Sequence, residues 1–135
     1  MRIFFLDDNH DRQLAFRQRS KKHDVDFASN YDRALELLGS KTYDLIYLDH
    51  DLSLMDENYN FDPNEKTGYD VAKFLSRAEH NFGKIVFVHS LNPSGRTNIK
   101  TVLAASFRVY LPEDLRAAML WTIEVDELVG RIESR

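Results

Sequence analysis

The chain has 135 residues, 43% of them hydrophobic, and a formal net charge of −4. That length suits one domain over residues 1–135 with a sizeable core, and the acidic balance argues against an extended patch for a nucleic-acid backbone. Cysteine is absent, which excludes a disulfide framework and a thiolate zinc site. The apolar runs fall far short of the roughly 20 residues that span a membrane, and Met1 leads into a strand without a basic leader. A cytoplasmic protein with no membrane contact is expected.

Ile3-Phe4-Phe5-Leu6 reads as a buried parallel strand and ends in Asp7-Asp8. Asn9 can cap a helix over 10–20 with Leu14, Ala15 and Phe16 on its apolar side. A short second strand covers 25–28. Asn30 then caps a helix over 31–38, with Ala34, Leu35 and Leu38 at helical spacing and Gly39 as its stop. The third strand, 43–48, runs into Asp49-His50-Asp51.

The polar stretch 53–66 exceeds the usual strand-to-helix connection of about 2–6 residues and reads as a mobile lid over the site, with simple solvated disorder as the alternative. Counted from Asp56 as a calcium loop, it puts Phe61 at the turn-glycine position and Thr67 at the bidentate-Glu position, which argues against an EF-hand. Thr67 opens a helix through 78 that buries Val71, Phe74, Leu75 and Ala78, with Asp70 placed to complete its first turn. The fourth strand, 84–88, ends in His89-Ser90. Asn92-Pro93-Ser94-Gly95-Arg96 is a turn-rich link into a helix carrying Ile99, Val102 and Leu103.

A fifth strand covers 107–111. Pro112 starts the last helix at a favoured position, and that helix presents Leu115, Ala118, Met119, Thr122, Val125 and Val129 on one side. Strand and helix alternate five times, which signals a doubly wound parallel α/β fold. If strands one, three and four run the same way, their ends deliver four Asp and two His to one edge. Open α/β sheets place ligands there, and clustered carboxylates require a cation or shared protons.

The alternation, the Asp7-Asp8 pair and Asp49 at the end of strand three resemble a two-component receiver domain. The resemblance implies a flavodoxin-like five-stranded sheet of order 2-1-3-4-5. It also implies a magnesium ion held by Asp7, Asp8 and Asp49, the last of which accepts phosphate in that family. Two positions depart from it: His89 stands where a Thr or Ser meets the phosphoryl group, and Glu113 stands at the usual Lys. A carboxylate there repels an aspartyl phosphate, which argues against storage of phosphate on Asp49.

Four motifs in order resemble the cyclic-phosphate processing receiver domains: Leu6-Asp7-Asp8, Leu48-Asp49-His50-Asp51-Leu52, Thr67-Gly68-Tyr69-Asp70-Val71, and His89 to Arg96. The resemblance runs from Met1 to about Val102. It implies action on the cyclic phosphate of a small nucleotide or an RNA end, with Mg2+ or Mn2+ as cofactor. Asp7, Asp8, Asp49 and Asp51 are the candidate metal ligands, and a bound metal can activate water and polarise the phosphoryl group. His89, His50 and Asp49 are the candidate catalytic groups, because imidazole titrates near neutrality.

Arg96 offers a fork-shaped clamp for phosphate. The amides from Ser94 and Gly95 onward stand at a helix N-terminus, and Asn92 and Ser90 add hydrogen-bonding groups. Plainer roles stand beside these: Asp7 and Asp8 as cap and solvated carboxylate, Asp51 as a loop cap, His50 packed against backbone, His89 in a strand-end turn, and Arg96 paired with Asp49 or Glu113. The competing function is a non-catalytic receiver-like module that signals by dimerisation or docking. A monomer or a homodimer both fit, the latter using Met119, Trp121 and Val125.

Overall fold

The computed structural model describes residues 1–52 and 66–133, so the expected lid over 53–66 lies, apart from Lys66, outside the described residues. Five strands, β1 (Arg2–Leu6), β2 (Asp24–Ala28), β3 (Leu45–Leu48), β4 (Ile85–Val88) and β5 (Arg108–Tyr110), form one sheet of order β2-β1-β3-β4-β5. All four pairings are parallel. The helices are α1 (His10–Arg19), α2 (Tyr31–Ser40), α3 (Gly68–Leu75), α4 (Pro93–Leu103) and α5 (Val125–Glu133).

Alternation along the strands divides the core in two. Phe4, Leu6, Ile46, Leu48, Val86 and Val88 pack with Ala34 and Leu38 of α2, Val71 and Leu75 of α3, and Ile99 and Leu103 of α4. Ile3, Phe5, Leu45, Tyr47 and Phe87 pack on the other face with Phe16 of α1, Leu120, Trp121, and Val125 and Leu128 of α5. Burial on both faces explains why the central strands β1, β3 and β4 carry continuous apolar runs rather than alternation.

Side-chain caps fix the helix starts that follow β1 to β4. Asn9, Asn30 and Asn92 each accept a hydrogen bond from a backbone N–H of the first turn, and Thr67 forms a capping box with Asp70. Such caps contribute ~1 kcal/mol each. They also hold α1 to α4 with their N-termini at the carboxyl edge of the sheet.

Three expectations are corrected. The last helix does not begin at Pro112: residues 112–115 form a 3-10 turn, Arg116 adopts φ 55° and breaks it, a second 3-10 turn covers 120–122, and α5 starts only at Val125. Ala118, Met119 and Thr122 are consequently exposed, while Leu120 and Trp121 turn inward. The helix opened by Thr67 stops at Leu75, because the chain leaves the helix at Ser76, although Ala78 is still buried. Gly39 does not stop α2, which continues to Ser40.

Of the three residues offered for a dimer face, Trp121 and Val125 belong to the monomer's core. Among the described residues no helix is long and apolar enough to cross a membrane.

Candidate metal and phosphate site

Register builds the centre. Phe5, Tyr47 and Phe87 lie side by side on β1, β3 and β4, and Leu6, Leu48 and Val88 form the next row. Backbone pairing continues one residue further: the Asp49 N–H donates to the Leu6 carbonyl at 3.2 Å and the His89 N–H to the Leu48 carbonyl at 3.0 Å. The following row is therefore Asp7, Asp49 and His89, on the face that carries Phe5, Tyr47 and Phe87. One ligand atom from each of these three buried residues lies within 4.8 Å of the others.

Apolar walls hold the row. The His89 ring stacks on Phe5 with centroids 4.8 Å apart and meets Trp121 edge-on at 5.9 Å. Its Nε2 lies 3.1 Å from Asp7 Oδ2, whereas its buried Nδ1 has no hydrogen-bond partner among the described residues. The Tyr47 hydroxyl behind it is likewise buried and unpartnered, and burial pushes its ionisation well above the ordinary range.

Sequence reading missed the cation of this centre, Arg12 of α1. Its Nε donates to Asp7 Oδ2 at 2.7 Å, and its Nη2 donates to Asp7 Oδ1 at 2.9 Å and reaches Asp49 at 3.5 Å and Asp8 at 4.0 Å. The guanidinium sits 5.4 Å from the Trp121 ring centroid, a cation–π arrangement. Asp8 and Arg12 are four residues apart, the one local signal that could have linked them.

The two buried carboxylates have opposite environments. Burial alone would push Asp7 up, but hydrogen bonds from His89 and Arg12, with the Asn9 N–H at 2.8 Å, hold it down at about 2. Its two oxygens accept four hydrogen bonds, from Asn9, His89 and Arg12 twice, which exhausts a carboxylate's ordinary lone-pair sites. Among the described residues Asp49 has only the longer Arg12 contact, and burial pushes it up to about 6, with Asp7 and Asp8 adding repulsion against His89 and Arg12. Burial, Asp7 and Asp51 likewise raise Asp8.

The remaining candidates gather on the other side of the strand tips. His50 Nδ1 lies 2.7 Å from Asp51 Oδ1, and Asn92 Nδ2 donates to the same oxygen at 3.3 Å. A Cβ on Gly95 would strike the His50 ring, so the glycine lets α4 close on it. Gly68 does the same for α3: its N–H donates to the His50 carbonyl at 2.8 Å, and a Cβ there would fall on the Asp49 carbonyl. The N-terminus of α4 is partly spent, since Asn92 Oδ1 accepts from the Gly95 N–H and the Asn92 carbonyl from that of Arg96.

Arg96 does not join the Asp7 cluster. Its Nη1 donates to the Ser90 carbonyl at 3.2 Å, Nη2 lies 3.8 Å from Glu113, and its buried Nε has no partner among the described residues. Ser90 is buried and its Oγ accepts from the Asn92 N–H. Ser94 is exposed at the first turn of α4. The candidates thus fall into two groups, Asp7, Asp49 and His89 with Arg12 on one side of the sheet plane, and His50, Asp51 and Asn92 on the other.

Comparison with known proteins accords with this geometry. The family model of the cyclic-phosphate processing receiver domain matches residues 2–105. Solved structures of similar fold include a CheY-like response regulator receiver domain from Methanospirillum hungatei (16% identity, TM-score 0.59, covering 99% of this chain and 98% of that one). A two-component response regulator from Clostridium difficile is similar at 15% identity and TM-score 0.62, covering 99% and 93%. A response regulator from Burkholderia pseudomallei is similar at 17% identity and TM-score 0.57, covering 98% and 72%; its crystal structure contains a phosphorylated aspartic acid, a calcium ion and citrate. A search of the curated proteins finds no match.

Proposed function

The chain belongs to the cyclic-phosphate processing receiver domain family, and from that premise we propose that its carboxyl edge binds and hydrolyses a cyclic phosphate of a nucleotide or RNA end, with a divalent metal. The observation that carries the reading is the buried row Asp7, Asp49 and His89, whose ligand atoms lie within 4.8 Å of one another. Asp49 supports it further: it is a buried carboxylate whose one ionic contact among the described residues is long, at 3.5 Å from Arg12, and a bound cation would offset its burial. Two carboxylates suit Mg2+ or Mn2+, and an imidazole donor shifts preference away from Mg2+.

Asp49 and Asp7 would hold the ion, with Asp8 beside them, and the ion would polarise the phosphoryl group and lower the pKa of water. Opening the ring also requires a proton for the departing alkoxide. His50 suits that step better than His89, because its side chain keeps 17% exposure while Asp51 fixes Nδ1, and Nε2 has no hydrogen bond among the described residues. His89, 1% exposed and bonded to Asp7, positions that carboxylate and can serve as a ligand. Arg12 is the cation placed among the carboxylates.

The test is incubation with 2′,3′-cyclic mononucleotides and cyclic-phosphate-ended RNA, with and without Mg2+ or Mn2+. Metal-dependent opening that is lost in Asp49→Ala and falls in His50→Gln is expected. A second reading, a non-catalytic interaction module, draws on the saturation of Asp7 by protein donors. Absence of both turnover and binding would favour it.

A further inference from the structure

We propose that the cleft between α2 and α3 binds the sugar-phosphate strand behind the terminal phosphate, which makes the substrate a single-stranded RNA end rather than a free mononucleotide. The inference rests on the cyclic-phosphate reading for its terminus but not for its own binding. The cleft is a cavity of about 240 Å3 lined by Tyr31, Lys66, Asp70, Lys73, Phe74 and Arg77. Three cations line it in a chain whose net charge is −4.

Their partners are few. Asp70 is the single carboxylate of the lining, and it accepts from the Thr67 N–H at 2.8 Å in the capping box while pairing with Lys73 at 3.4 Å. Lys66 and Arg77 have no ion pair among the described residues. Aromatic faces accompany the cations: Lys66 Nζ stands 5.9 Å from the Tyr31 centroid and Lys73 Nζ 5.0 Å from that of Tyr69. Interleaved cations and rings suit phosphates with stacked bases.

Position ties the cleft to the site. Tyr31 opens α2 and Lys66 lies just before α3, so both stand at the carboxyl edge. Gly68 is pinned to the backbone of Asp49 and His50. From that mouth, Lys73 and Arg77 follow one another four residues apart along the chain, Arg77 just past the end of α3, leading away from the edge. A strand whose end reaches the carboxylates can therefore continue along this line of cations.

The experiment measures binding by anisotropy to three probes: a 2′,3′-cyclic mononucleotide, a short single-stranded RNA ending in a cyclic phosphate, and the same RNA ending in a 3′-hydroxyl. The wild-type protein is compared with Lys66→Ala/Arg77→Ala, two exposed positions, with the fold checked by circular dichroism. Both RNAs are expected to bind with marked salt dependence and to lose about tenfold or more in the double variant, the mononucleotide being unaffected. An RNA that binds no tighter than the mononucleotide, a variant that loses nothing, or an acidic peptide that competes equally well would overturn the proposal. If the hydroxyl-ended RNA binds through the cleft and the cyclic phosphate adds nothing, the cleft stands and the cyclic-phosphate reading falls.

Discussion

Arg12→Ala should tighten divalent metal binding while weakening the metal-free fold. Arg12 makes two hydrogen bonds to an Asp7 side chain with 0% exposure, and is itself only 27% exposed. Hydrogen bonds to a charged group contribute ~1.5–3 kcal/mol net, so the metal-free variant should lose stability on that scale. An ion that takes lone pairs of Asp7 must displace one of the present donors, and the guanidinium holds two of the four occupied sites. Removing that competitor should raise affinity for Mg2+ or Mn2+ by roughly 10- to 100-fold, taking ~1.4 kcal/mol per tenfold. Calorimetric titration without nucleotide measures this directly, and the fluorescence of Trp121, the chain's single Trp, gives a second readout because Arg12 lies against it. Affinity unchanged or weakened in the variant would refute the competition.

Asp49 sets a pH dependence of opposite sign to the usual carboxylate. Its folded pKa, about 6, lies above the unfolded value near 3.8. Its contribution to stability is therefore complete below about pH 4 and is lost as pH rises through 6, by up to ~3 kcal/mol; Asp7, held at about 2, acts only below about pH 4. Metal-free protein should resist urea better at pH 5 than at pH 8, and Asp49→Asn should flatten that slope; a wild-type protein that gains stability over this range contradicts the assignment. Gly68→Ala should cost about 1–3 kcal/mol or more by forcing α3 off the Asp49 carbonyl, seen as a lowered Tm. Trp121→Ala should cost ~3–5 kcal/mol, whereas Met119→Ala, at a side chain 48% exposed, should change stability by less than about 0.5 kcal/mol; equal effects would restore a continuous C-terminal helix.

The sheet was legible because its central strands β1, β3 and β4 carry unbroken apolar runs, and the starts of α1 to α4 were legible because Asn9, Asn30, Thr67 and Asn92 carry their capping chemistry in their own side chains. The C-terminal region was not. Helical spacing from Leu115 to Val129 is compatible with one helix, but Arg116 at φ 55° ends the first 3-10 turn and Leu120 and Trp121 pack inward from a second, a break that the apolar spacing does not carry. The membership of the acidic row followed from strand ends. Its cation did not, because Arg12 shares its helix with Arg17 and Arg19 and becomes distinctive only when Asp49 and Trp121 arrive from distant parts of the chain.

The alignment of Asp7, Asp49 and His89 makes the centre a matter of phase. Its three addresses are counted from backbone pairing, not from any loop. Deleting one residue inside β4 would bring Ser90 to the address of His89 and send the imidazole through to the opposite face, without altering composition near the site. Length changes in the connecting segments leave the count intact. Relatives of this architecture can therefore vary their loops widely while exchanging only which side chains occupy these addresses, and a Thr or His at the end of β4 is the kind of one-letter exchange by which such a sheet acquires a different chemistry.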